Sequence, residues 1–368
     1  MAESERIVVA MSGGVDSSVV AALLAEAGHD VIGLFMRNGV VAGDAAKKGK
    51  QGCCSLDDSM DARRVAALLD VPFFAVNFKR EFGKIIDYFV DEYDRGRTPN
   101  PCILCNRDLK FGRLIEYADE VGASKIATGH YGRIVEHRGR LSVARAADRQ
   151  KDQSYVLFPL DQSQLSRTLL PLGNMTKAEV RAEAHRFGLP VGDKPDSQEI
   201  CFVPDNDYGN LLRQRNPESL KPGRIIDVDG QDIGPHEGHQ LYTIGQRKGL
   251  GGGFKDPIYV VEIRAAENLV VIGGAEHLAG QGLEMSQLTW GGLAGLKVGE
   301  QITGAVKVRS AAEPVPARAR LVASGQVEIL FDEPIRAVTP GQAAVFYEDD
   351  AVLFGGFIDT PLTGALSA

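Results

Sequence analysis

The stretch Arg6-Ile7-Val8-Val9-Ala10-Met11-Ser12-Gly13-Gly14-Val15-Asp16-Ser17-Ser18 decides the reading of this chain. A short apolar run ends in a Ser-Gly-Gly turn, and an alanine-rich helical pattern follows at once. That order is strand, glycine loop and helix N-terminus, the usual construction of a phosphate cradle. Glycines allow positive φ and close backbone approach, so successive N–H groups can converge on an anion. Ser12, Ser17 and Ser18 add hydroxyl donors, and Asp16 can orient a magnesium ion. The plainer alternative is an ordinary strand-to-helix turn, but the serines and the aspartate exceed what a turn needs. The loop lacks the Walker A spacing of glycine, lysine and serine.

Outward from this loop, strands alternate with helices as far as about Asp205. Strands are predicted at Ile7–Met11, Val31–Met36, Phe73–Asn77 and Lys125–Thr128. Helices are predicted at Ser17–Ala27, Asp57–Leu69, Arg80–Arg95, Asp108–Val121 and Lys177–Phe187. Apolar strands separated by helices of this length imply βαβ units and a parallel sheet. Ligands of such sheets bind beyond the carboxyl ends of the strands, where Ser12–Ser17, Met36 and Thr128-Gly129-His130 all fall. Arg37–Gly52 has no period and reads as a mobile loop, either a plain connector or a substrate gate.

Past Asp207, Gly and Pro become frequent and the strands short. They are predicted at Arg224–Val228, Ile258–Ile263, Leu269–Ile272, Gln301–Val308, Ala317–Val322, Gln326–Phe331, Ala343–Glu348 and Ala351–Gly356. Closely spaced short strands suggest β-rich domains, the last a small barrel. The expected fold class is therefore α/β: a parallel-sheet domain over 1–205, a small β-rich domain over 206–278 and a C-terminal β-barrel over 279–368.

Bulk composition narrows the field. The 368 residues are 44% hydrophobic and 24% charged, as in a globular protein of two or three domains. No apolar run reaches the length of a membrane span, and the acidic start Met-Ala-Glu-Ser-Glu-Arg is no secretory signal. The net charge of −8 argues against a generally basic nucleic-acid binder but leaves room for local basic patches. Five cysteines in a chain without a signal point to a reducing, cytoplasmic setting and to reactive or metal-binding thiols.

Cys102 and Cys105 form a C-x-x-C in Thr98-Pro99-Asn100-Pro101-Cys102-Ile103-Leu104-Cys105-Asn106. Prolines stiffen the approach and a helical pattern follows, a setting that lowers thiol pKa. Cys201 lies in Asp196-Ser197-Gln198-Glu199-Ile200-Cys201-Phe202, and Cys53-Cys54 read as structural filler. A closed zinc site would need a fourth ligand from a second C-x-x-C, which is missing. Three cysteines with an open fourth position suit a catalytic iron–sulfur cluster; a buried hydrophobe is the plainer fate of Cys201 taken alone. His236-Glu237-Gly238-His239 is only superficially similar to a zinc helix motif, since its histidines are three apart and glycines surround them. Gln246-Arg247-Lys248 and the glycines after them read as a basic, RNA-facing loop or a plain turn.

Ser-Gly-Gly-Val-Asp-Ser resembles the pyrophosphate loop of ATP pyrophosphatases, which split ATP into AMP and pyrophosphate. With the cysteine segments the resemblance becomes specific, to the tRNA-specific 2-thiouridylases. It covers Ser12–Ser18, Gly96–Asn106, Ala127–Tyr131, Lys151–Tyr155, Asp196–Phe202 and His239–Leu250. It implies transfer of AMP to O2 of the wobble uridine (position 34) of tRNA, followed by attack of sulfur carried as a cysteine persulfide. By the same resemblance Cys201 carries the persulfide and Cys105 is the partner nucleophile, leaving a Cys105–Cys201 disulfide bond for a reductant to reopen. Many members have aspartate where this chain has Cys102. That departure leaves the general base open and keeps a second route in view, with Cys102, Cys105 and Cys201 holding a 4Fe–4S cluster.

ATP contacts carried over are Ala10, Met11, Ser12, Gly13, Gly14, Val15, Asp16, Ser17, Met36 and Gly129, with magnesium as the counterion. Asn100 and Pro101 match the segment that meets the target base. Lys151, Asp152, Gln153, Arg309 and Ser310 match tRNA contacts, and each is equally readable as a solvated surface group. Implied partners are tRNA and a sulfur-donor protein of a persulfide relay. A reading from another class is a non-catalytic ATP- and RNA-binding redox sensor.

Overall fold

The computed structural model describes residues 4–39, 56–196, 200–203, 207–251 and 253–363. Most of the expected Arg37–Gly52 loop, Cys53, Cys54 and Ser197–Glu199 lie outside them.

The N-terminal domain is built on β1 (Arg6–Ala10), α1 (Val15–Glu26), β2 (Asp30–Arg37), α2 (Leu56–Leu68), β3 (Phe73–Asn77), α3 (Lys79–Asp94) and β4 (Lys125–Ala127). The sheet runs β3-β2-β1-β4 and ends on Thr168–Leu169, with every pair parallel. β1 is buried on both faces: Ile7 and Val9 enter one core, Val8 and Ala10 the other. This explains the unbroken apolar run, since a parallel strand covered by helices on both sides has no solvent face. The strand order reverses between β2 and β4 around β1, so the loops after β1 and β4 open on one crevice.

The central sheet orders Tyr259–Arg264, Leu269–Gly273, Gly223–Asp227 and Asp232–His236. His239 and Gln240 tie this domain to the end of α3, bonding the Asp94 carbonyl at 3.1 Å and carboxylate at 3.0 Å. In the C-terminal domain, Ala279–Trp290 pairs with both Gln326–Arg336 and Ala351–Leu362, which closes the sheet into a barrel. The hairpin Arg133–His137/Arg140–Ala144 belongs by sequence to the first domain but adds to the barrel sheet through Ala144 and Ala351. The sequence reading missed it. Its turn places Arg138 at φ 51° and Gly139 at φ 73°, the type I′ geometry that suits a two-residue hairpin.

The barrel and the α/β domain share one core, with Tyr155, Leu157 and Phe158 packing among Val345, Tyr347 and Phe357. Polar contacts extend the junction. Thr98 N–H donates to the Pro340 carbonyl at 2.8 Å, and Gln342 donates to the carbonyls of Thr98 and Pro99 at 3.0 and 3.2 Å. The barrel thereby grips the segment that enters the C-x-x-C. Among the described residues no helix is long and apolar enough to cross a membrane.

Candidate active site

The loop after β1 turns at Gly13, which has φ 76°. Ser17 Oγ accepts from the Ser12 N–H at 3.0 Å and lies 3.2 Å from Ser12 Oγ, so the two hydroxyls fix the loop against the first turn of α1. Ser18 departs from expectation. It is fully buried and donates back to the Gly14 carbonyl at 2.8 Å, so its hydroxyl serves the helix and not an anion. Gly129, in the loop after β4, lies so close that a Cβ there would stand 2.8 Å from the Ser17 nitrogen.

A cavity of about 430 Å³ opens over this loop. Ala10, Met11, Ser12, Gly14, Val15, Asp16, Ser17, Met36 and Gly129 line it, as do Pro101, Cys102, Cys105, Lys151, Gln153 and Cys201. Gly13 and Asn100 are not among the lining residues; Gly13 instead packs against the start of α2. Cys102 is exposed, and Cys105 and Cys201 are half-buried. Pro101–Leu104 is a short helix, and Cys105–Arg113 then winds as a π-helix. Such wide turns recur at functional sites, and this one brings Cys105, Leu109 and Lys110 to the cavity wall.

Two carried-over tRNA contacts need correction or relocation. The Asp152 side chain is fully buried, accepting from the Ala146 N–H at 3.0 Å and from Ser154 Oγ at 2.8 Å. Lys307 of the barrel stands 3.6 Å away, so Asp152 holds the fold together and does not face RNA. Arg309 lies outside the main cavity. It donates to the Ala337 carbonyl at 2.7 Å and lines a separate cleft with Thr98, Tyr208, Gln246 and Gln342, where the three domains meet. Ser310 is exposed beside it.

Two lysines in the site, Lys177 and Lys194, escaped the sequence reading. Asp16 Oδ1 accepts from Tyr131 Oη at 2.8 Å and from Lys177 Nζ at 2.7 Å. Lys194 Nζ donates to the Gly13 carbonyl at 2.9 Å and to Asp58 and Asp61 at 2.7 and 2.8 Å. These lysines sit far from the loop in sequence, and nothing local marks them. Asp16 is thus engaged through Oδ1 by a lysine and a tyrosine. Among the described residues no group of three His, Cys, Asp or Glu side chains converges as metal ligands do. Cys102, Cys105 and Cys201 therefore do not fit a cluster in this arrangement.

His130 is buried beside Lys110, and desolvation first, then the lysine charge, pushes its pKa well below the ordinary 6.5. The ammonium only donates, so His130 Nε2 accepts from it at 3.3 Å and Nδ1–H donates to Thr128 Oγ1 at 2.8 Å. The folded state then binds fewer protons than the unfolded chain. The stabilisation is complete above about pH 6.5 and is lost as pH falls from there toward the depressed value. Melting temperatures measured between about pH 7 and 5 are expected to fall less in His130→Gln than in the parent. His236, also shifted down by burial, contributes equally to both proteins. Parallel melting curves for the two would refute the assignment.

Fold and site together define a nucleotide-binding α/β domain of the ATP-pyrophosphatase type, with thiols at the mouth of its cavity and two β domains behind. Comparison with known proteins makes the class specific. A family model described as the tRNA methyl transferase HUP domain matches residues 5–205, a PRC-barrel model of the same series matches 209–274, and an aminomethyltransferase β-barrel model matches 281–358. The tRNA-specific 2-thiouridylase MnmA of Carboxydothermus hydrogenoformans is 47% identical, over 97% of this chain and 98% of its own. That of Geobacter metallireducens is 49% identical, over 98% of each. A solved 4-thiouridine synthetase–RNA complex with bound ATP overlaps 58% of this chain and 51% of its own at 19% identity and a TM-score of 0.33. The chain belongs to the tRNA-specific 2-thiouridylase family.

Proposed function

We propose that the chain is a tRNA-uridine 2-sulfurtransferase that thiolates the wobble uridine at the expense of ATP. One observation carries the reading: a single cavity joins the Ser12–Ser17 loop to Cys102, Cys105 and Cys201. A uracil carbonyl is a poor electrophile and its oxygen a poor leaving group. Attack of O2 on the α-phosphorus of ATP breaks the bond to pyrophosphate and makes O2 part of a leaving AMP. The loop amides and the nearby lysines stabilise the charge that collects on pyrophosphate.

The terminal sulfur of a Cys201 persulfide then attacks C2, and AMP departs with the former O2. The Cys105 thiolate attacks the Cys201 sulfur, the S–S bond breaks, and its electron pair stays on the sulfur now bound to C2. A Cys105–Cys201 disulfide remains, to be reduced by an external thiol. Cys102 is exposed and lines the same cavity, where its thiolate form can take up the proton a base would otherwise remove. The persulfide route is preferred over a cluster because the three thiols do not converge as ligands. Magnesium enters as the counterion of ATP, and chemistry that needs its disulfide reopened by a thiol suits a cytoplasmic enzyme served by a persulfide-relay protein.

The test uses purified protein, ATP, a persulfide donor and tRNA. Pyrophosphate release that depends on tRNA, together with 2-thiouridine in the digested nucleosides, is the expected result. ATP binding without either product would instead favour the redox sensor.

A further inference from the structure

Asp196 gathers three cations. Lys151 Nζ meets its Oδ2 at 2.7 Å, Lys177 Nζ its Oδ1 at 2.8 Å, and Arg181 Nη2 lies at 3.4 Å. Lys177 simultaneously holds Asp16, so Asp16, Lys177 and Asp196 form a bridge from the glycine loop to the chain that leads, five residues on, to Cys201. Lys194, two residues before Asp196, makes the second fastening, to the Gly13 carbonyl. Burial alone would raise the Asp196 carboxyl, but its hydrogen bonds from Lys151 and Lys177 outweigh that and hold it below the ordinary range. Asp196 and Lys151 both line the cavity, beside the loop and Cys201.

The electrostatics follow from charge counting. A carboxylate carries one negative charge, whereas the polyphosphate of ATP, and pyrophosphate after it, carries several. At equal distance a lysine is drawn more strongly to the phosphates. We infer that Asp196 is a positioning residue that exchanges Lys151 with pyrophosphate, and so couples pyrophosphate departure to the placement of Cys201 for sulfur attack. While the phosphates are bound, Lys151 turns to them and leaves Asp196 to Lys177. When pyrophosphate leaves, Lys151 returns to Asp196 and restores the ion pair at the residue from which the chain leads to Cys201. Without that return the adenylated uridine waits, and water converts it to uridine and AMP.

This inference rests on the proposed thiolation, and its test separates the two. Pyrophosphate and 2-thiouridine are measured in the same reactions for wild type, Asp196→Asn and Asp196→Glu, each with tRNA, ATP and a persulfide donor. Wild type should give one thiouridine per pyrophosphate. In Asp196→Asn that ratio should fall about tenfold with the KM for ATP not raised, the surplus appearing as AMP beside unmodified tRNA. Asp196→Glu keeps the charge but moves it by a methylene, and should give an intermediate ratio. The ratio does not depend on the folded fraction, and the Glu variant carries the test if the Asn variant does not fold. A wild-type ratio in both variants would overturn the inference, whether total turnover is normal or reduced. A wild type that releases no pyrophosphate with tRNA would instead overturn the thiolation reading itself.

Discussion

Cys201→Ser is expected to abolish 2-thiouridine formation, by roughly a thousandfold or more, while tRNA-dependent pyrophosphate release continues. A serine hydroxyl cannot store sulfur at the persulfide level, so no nucleophilic sulfur reaches C2. The adenylation half of the site is untouched, because the substitution changes no residue of the Ser12–Ser17 loop. Cys105→Ser should fail differently. Its Cys201 persulfide can still attack C2, but nothing resolves the resulting Cys201–S–S–uridine link, so tRNA should remain attached until a thiol is added. Mass analysis of the protein with and without reductant reads this directly. Thiouridine from Cys201→Ser at the parent rate would remove the persulfide assignment.

Gly13→Ala should nearly eliminate pyrophosphate release and lower the melting temperature. The residue sits at φ 76°, where an L side chain costs about 1–2 kcal/mol. Its new Cβ would also land on the Asp58 backbone, 2.9 Å from that Cα and closer still to the carbonyl carbon and oxygen. Overpacking of this kind costs about 1–3 kcal/mol more, and backbone cannot swing aside as a flexible side chain can. The loop and the start of α2 must therefore separate, which shifts Lys194 away from the Gly13 carbonyl and misaligns the cradle. Gly14→Ala is the control: its Cβ would meet only Ser12 Oγ, at 3.5 Å, so it should fold normally. Equal melting temperatures and equal pyrophosphate rates for Gly13→Ala and the parent would contradict this account of the loop.

Local chemistry in the sequence was enough to read the loop, the parallel sheet and most β strands of the later domains. The strand at Ala279–Trp290 that closes the barrel went unread, because Gly280 and Gly282 weaken its start and the extra polar residue Gln287, at φ 53°, breaks the alternation where the register shifts. The barrel's grip on Thr98 and Pro99 was also invisible, since it depends on contacts more than 240 residues apart in the chain. The site shows the same division. Residues adjacent in a motif, such as Ser12 and Ser17 or Cys102 and Cys105, could be singled out from their spacing. Lys177, Lys194 and Asp196 acquire meaning only when folding brings them to the loop. Asp152 shows the converse error: it stands between two cavity-lining residues, yet its side chain turns inward to Ser154 and Lys307.

The central claim is that ATP activates the uracil oxygen that sulfur then displaces. It is tested most directly with tRNA whose target uridine carries heavy oxygen at O2, incubated with the protein, ATP and a persulfide donor. The account predicts that each 2-thiouridine formed is matched by an AMP whose phosphate contains the heavy oxygen. Thiouridine formed with unlabelled AMP, and the heavy oxygen released to water, would contradict it.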